Sequence, residues 1–206
     1  MYKRQDFDLV TKVTIVPRSN GAGGFTLFTP TEERMESGLY SRSYLQAQLA
    51  VALGGRVAEE IVFGDDEITT GASNDLQQVR NVARRMVAQW GFAKDVTGAV
   101  AWETADGQTG GMMGPKTASA KTNALLDAEV QKIVQKAYAH CKETLTKNRN
   151  ALDLLAEMLI DNENVDAREL YTMIRDNVPG AQVPDLDKLP TSLEEMGARE
   201  GAVVAV

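Results

Sequence analysis

Few residues in this chain have types and spacing suited to chemistry. Asp75 follows Ile68-Thr69-Thr70-Gly71-Ala72-Ser73-Asn74, a run of mostly small residues. Glycine followed by Ala, Ser and Asn is a turn composition, and Ser73 or Asn74 is placed to cap a helix beyond it. Asp75 then falls in the first helical turn, where free backbone N–H groups and the helix dipole favour a negative charge. On the residues alone, that is ordinary helix-start chemistry. His140 is the single histidine and Cys141 the single cysteine. Neighbours on a helix point in different directions, so the two do not make a metal site, and His140 reads as a surface or packing residue. No Ser or Asp stands near His140 at a spacing that suggests a nucleophilic triad. Glu59-Glu60 closes an amphipathic segment; it reads as a solvated acidic face, with a functional pair as the alternative. Gly21, Gly23 and Gly24 are followed by neither GK[ST] nor a helix start, so they form no phosphate loop.

The chain that must position these groups has 206 residues, 43% hydrophobic and 25% charged, as in a soluble globular protein with a real core. A net charge of -7 argues against a nucleic-acid surface, which needs a basic stripe. One cysteine excludes an internal disulfide. No apolar run approaches the ~20 residues of a membrane helix, and no apolar segment follows Met1 to Gln5 as in a signal peptide.

Val13-Thr14-Ile15-Val16 is β-branched and ends at Pro17, which predicts a strand. A glycine-rich turn over residues 20–24 precedes Phe25-Thr26-Leu27-Phe28, and together they predict a hairpin. Thr29-Pro30-Thr31-Glu32 has the composition of a helix start. Leu45, Leu49, Leu53, Val57 and Ile61 then form one helical stripe, interrupted by Gly54-Gly55. Those glycines imply either a close approach by another helix backbone or a kink. A further helix is expected from Asn74 to Trp90, with Leu76, Val79, Ala83, Met86 and Trp90 inward and Gly91 as its stop. Residues 96–120 are glycine-rich and aperiodic, a long loop that is mobile or functional. Helices follow from near Ser119, around Leu152 to Leu159, and after Asp166, whose Glu169 completes a capping box. Beyond Asn177 the prolines 179, 184 and 190 suggest a flexible acidic tail. The expected fold is mainly α with a small β-hairpin or sheet near the N-terminus.

Four linked segments carry a family resemblance: residues 12–18 (KVTIVPR), 37–42 (SGLYSR), 53–60 (LGGRVAEE) and 69–76 (TTGASNDL). In this order they resemble the peptidase domain of the FtsH family, membrane-anchored ATP-dependent zinc metalloproteases. The stretch Glu33 to Tyr40 is most similar to cyanobacterial and plastid members. The resemblance covers Asp6 to Asn177, giving an atypical start at 1–5, a partial peptidase domain at 6–178 and a tail at 179–206. It implies a helical bundle with a small sheet, set in a hexameric ring of FtsH-type subunits beneath an ATPase ring that uses ATP and Mg2+ and threads unfolded protein substrates.

By that resemblance, a catalytic Zn2+ is held by two histidines of an HExxH helix and by an aspartate that maps onto Asp75. Three protein ligands leave a position for water, which the metal acidifies. Glu59, Thr70, Gly71 and Asn74 are then expected to position the site. Gly23, Gly24, Phe25 and Thr26 match an edge strand that pairs with extended substrate, although a glycine run serving only the turn is the competing reading. The sequence departs from the family in one respect: it contains no HExxH, and no histidine precedes His140. The resemblance therefore starts just downstream of the zinc-binding helix. The expectation is an N-terminally truncated piece of a zinc metalloendopeptidase, inactive alone. In the intact protein, the missing N-terminal region would anchor it to a thylakoid, plastid or bacterial inner membrane. The rival expectation is a non-proteolytic, chaperone-like assembly subunit; a stand-alone helical binding domain is a third.

Overall fold

In the computed structural model, residues 8–17, 23–30, 32–103 and 118–189 are described. The elements run β1 (Leu9–Thr14), β2 (Phe25–Thr29), α1 (Glu32–Ser37), α2 (Arg42–Ala52), α3 (Gly54–Phe63) and α4 (Ser73–Ala88). They continue with α5 (Lys94–Thr97), α6 (Ala120–Lys147), α7 (Arg149–Asn162), β3 (Asn164–Asp166) and α8 (Ala167–Asn177). The chain is mainly α with a small antiparallel sheet, as expected. It divides into two units, Met1–Leu39 with Leu145–Val206, and Tyr40–Thr144.

In the first unit the sheet order is β2-β1-β3, with both pairings antiparallel. The hairpin expected from the β-branched runs is present, but β1 begins and ends earlier than residues 13–16 suggest, and Ile15 and Val16 lie beyond it, exposed. A bulge falls between Val10 and Lys12. Its polar groups are satisfied locally: the Val10 N–H donates to the Tyr171 hydroxyl at 2.9 Å, and buried Thr11 donates to the Leu27 carbonyl at 3.2 Å. At the start of α1, Thr29 belongs to β2 and the helix begins only at Glu32. The Arg34 guanidinium bonds Asp8 at 2.5 Å, tying α1 to the start of β1.

The third strand has no counterpart in the expected element list, because three residues are too few to show a period. Val165 at its centre is fully buried. Asp166 and Glu169 do form the reciprocal capping box at the start of α8. The segment from Pro179 to Leu189, expected as the start of a flexible tail, packs against the fold instead. Leu189 is buried with Ala167 and Tyr171, and Val183 and Leu186 lie against them. Residues 190–206 lie outside the described residues.

In the second unit, Leu45, Leu49, Leu53 and Val57 are buried along one stripe, as expected. The stripe runs over two helices, α2 and α3, broken at Leu53. A Cβ built on Gly54 or Gly55 would meet nothing within 4 Å, so no described backbone approaches there, and the glycines directly follow the break between the two helices. On α4, Val79, Ala83 and Met86 are buried, but Leu76 and Trp90 are exposed. Trp90 lies past the helix end, its ring 6.2 Å from Phe92, where Gly91 turns the chain with φ +63°. Most of the long loop, residues 104–117, lies outside the described residues. Along α6, Leu126, Ile133, Ala137 and Cys141 recur on the buried face.

Candidate metal centre

The candidate centre is assembled from the end of α3, the turn after it and the start of α4. Asp65–Glu67 forms a single 3-10 turn after α3, and Ile68 is extended. The chain then turns at Thr70 and enters α4. Ser73 is the first residue of α4, so Asp75 lies in its first turn as expected. The cap differs from expectation. Ala72 occupies the capping position with no side-chain bond, while Ser73 donates through its N–H (3.1 Å) and hydroxyl (2.5 Å) to the Thr70 carbonyl. Asn74 is exposed, and among the described residues its side chain has no hydrogen bond or ion pair.

The turn is held from α3 by Glu59. Its Oε1 accepts the Thr69 hydroxyl at 2.8 Å and its Oε2 the Thr69 N–H at 3.1 Å. The Thr69 Oγ1 in turn accepts the Gly71 N–H at 3.2 Å. A Cβ on Gly71 would lie 3.2 Å from Thr69 Oγ1, tight enough to disturb that arrangement. These donors hold the Glu59 carboxyl below its ordinary range, the Thr69 hydroxyl contributing most. Glu60 faces α6, where Tyr138 donates to its carboxylate and Lys142 pairs with it at 2.5 Å. Glu59 thus binds the turn at a solvent-exposed position, as on a solvated face, whereas Glu60 is covered and fastens α3 to α6. Thr69 is the residue that sequence reasoning missed. A threonine two residues before a turn glycine was the available signal, but its partner lies ten residues back on another element.

Asp75 is half-buried, and among the described residues no hydrogen bond or ion pair is recorded for its carboxylate. Burial pushes its carboxyl above the ordinary value. A half-desolvated carboxylate without a protein partner suits a metal ligand. Among the described residues no group of three or more His, Cys, Asp or Glu could hold a metal. His140 is exposed on α6 and Cys141 is buried, so the two do diverge.

The expected substrate segment belongs to the other unit. β2 pairs only with β1 and forms the sheet edge among the described residues. Phe25 and Thr26 lie opposite Thr14 and Val13. The room at Gly24 is taken by the protein itself, because a Cβ there would sit 2.4 Å from the Thr14 carbonyl oxygen. Gly23 faces open space.

The comparisons give this geometry its context. The profile of peptidase family M41 matches residues 2–173. The chain belongs to peptidase family M41. The ATP-dependent zinc metalloprotease FtsH 3 of Synechocystis sp. is 53% identical over 179 residues, 84% of this chain and 28% of that protein. The chloroplastic ATP-dependent zinc metalloprotease FTSH 5 of Arabidopsis thaliana is 50% identical over 174 residues, 83% of this chain and 24% of that protein. The FtsH of a Synechococcus strain is 40% identical over 202 residues, 96% of this chain and 31% of that protein. This M41 chain thus spans about a quarter to a third of the length of these relatives. The FtsH resemblance carried by the four motifs stands, including its leaning towards cyanobacterial and plastid proteins.

Proposed function

We propose that this M41 chain is the C-terminal part of the peptidase domain of an ATP-dependent zinc metalloendopeptidase, and that it contributes Asp75 as one ligand of the catalytic zinc. The observation that carries this reading is a half-buried, unpartnered carboxylate at the start of α4, in the segment Thr69 to Leu76. Zinc, when bound, supplies a Lewis acid that acidifies water. The part played by this chain is to present the carboxylate: α3 and α4 fix the turn that carries it. The remaining ligands and the general base belong to an HExxH that this sequence does not contain, so the chain alone is inactive. Extended substrate pairs with the outer edge of β2, where backbone hydrogen bonds give affinity with little sequence preference.

In the full-length protein, ATP and Mg2+ act at a separate ATPase domain, and subunits of the same type assemble as a hexameric ring on unfolded protein substrates. A plastid, thylakoid or bacterial inner membrane is the setting suggested by the chloroplastic and cyanobacterial relatives. Among the described residues no helix is long and apolar enough to cross a membrane. The test is metal analysis and casein cleavage with the purified 206-residue chain, together with the genomic sequence upstream of Met1. The expected result is neither stoichiometric zinc nor cleavage, with HExxH and nucleotide-binding motifs in frame upstream. Zinc-dependent cleavage by the chain alone would overturn the reading. A genuine start codon preceded by a stop would favour the non-proteolytic assembly subunit instead.

A further inference from the structure

We infer that the groove between α7 and α8 is a docking site for this chain's own segment beyond Leu189, with Leu193 and Met196 as the two anchors. The proposal is independent of the zinc reading. The groove is open, mostly apolar and about 450 Å3 in volume, within the range of pockets that hold a small ligand. Leu154 and Met158 line it from α7, Thr172 and Met173 from α8, and Arg168 is the one cation in its lining. Ala167 and Tyr171 point from another face of α8 into the core of the first unit, so the groove is separate from that core. Apolar surface gains by being covered, and flexible methionine side chains adapt to an irregular partner.

The path of the chain identifies the occupant. Val183, Leu186 and Leu189 recur every third residue and pack with Ala167 and Tyr171. The series continues in the sequence with Leu193 and Met196, and only Pro, Thr, Ser and Glu stand between Leu189 and Met196 besides Leu193. The Arg168 side chain donates to the Leu186 carbonyl at 3.1 Å, so the chain leaves Leu189 close to a residue that lines the groove. Four extended residues span up to ~14 Å and seven up to ~25 Å. The 11 residues of α8 are ~16 Å long, so both anchors reach the groove with Leu189 in place. Glu194 and Glu195, between the anchors, complement Arg168 in charge, whereas Glu169 is already engaged by the Asp166 N–H. Tethering gives the segment a local concentration of about millimolar, so modest contacts suffice.

The test uses the 206-residue chain with carbon-13 in its methionine methyl groups, a Leu193→Ser/Met196→Ser variant, and a chain ending at Leu189. Nuclear Overhauser contacts from the Met196 methyl to that of Met158 or Met173 are expected in the wild-type chain. The Met158 and Met173 resonances should move in the double variant and move alike in the shortened chain. The amide of Val165, fully buried at the centre of β3, should stay in place and report that the first unit remains folded. A synthetic peptide of residues 190–200 should return both methyl resonances to their wild-type positions in the shortened chain. Its effect on the intact chain should need at least about tenfold more peptide, because the tethered segment competes. Absence of the Met196 contacts in the wild-type chain, or Met158 and Met173 resonances unmoved in the double variant, would overturn the proposal. Resonances that shift with protein concentration equally in all three samples would assign the groove to a second copy of the chain, which also overturns it.

Discussion

Asp75 and Glu59 are both carboxylates, and their surroundings shift them in opposite directions. Burial raises the Asp75 carboxyl, so its ionisation opposes folding. That penalty is complete above its raised folded pKa and disappears below the unfolded value of about 3.9. Asp75→Asn should therefore stabilise the chain at neutral pH, by up to about 0.5 kcal/mol, the range of an ordinary surface change. The difference should vanish by about pH 3. Thermal melts of both proteins across pH check this, and an Asn variant less stable at pH 7 would contradict it. Glu59 behaves in the reverse sense. Its folded pKa is depressed by the Thr69 donors, so its contribution is present above the unfolded pKa and lost as pH falls through the folded one. Melts of Glu59→Gln should lie below those of the wild-type chain at pH 7 and converge with them in acid. At this scale, sequence placed Asp75 in the right turn of the right helix, because glycine, small residues and an acid carry that information locally. It missed Ala72 as the cap and Thr69 as the link. Both depend on where the Thr70 carbonyl and the Glu59 carboxylate sit in space.

Among the elements, the hairpin and the last helix give the sharpest expectations. Gly24 is required by β1, whose Thr14 carbonyl fills the place of its Cβ. Gly24→Ala should cost about 1–3 kcal/mol through overpacking, read as a lower urea midpoint, whereas Gly23→Ala should cost little because its Cβ would meet open space. Asp166→Ala removes the capping-box acceptor at α8 and should cost about 1 kcal/mol in the same measurement. The capping box was legible because Asp166 and Glu169 lie three residues apart in one local motif. The helix break before Gly54-Gly55 was not settled by sequence. A helical glycine costs about 1 kcal/mol relative to alanine whether a partner backbone compensates it or the helix breaks. The brief β3 was invisible for a different reason: its pairing with Lys12, Val13 and Thr14 is a contact between distant parts of the chain.

For the whole molecule, the M41 match and the identity to cyanobacterial and plastid FtsH proteins over more than four-fifths of the chain place it in a protease family. It spans about a quarter to a third of the length of those relatives. The central claim is that Asp75 is one of the catalytic zinc ligands. The most direct measurement is zinc stoichiometry after exhaustive dialysis of the full-length, HExxH-containing enzyme and its Asp75→Asn variant. One zinc per subunit in the first and a large loss in the second, with the fold intact, is the result predicted. Equal zinc retention in both would contradict it.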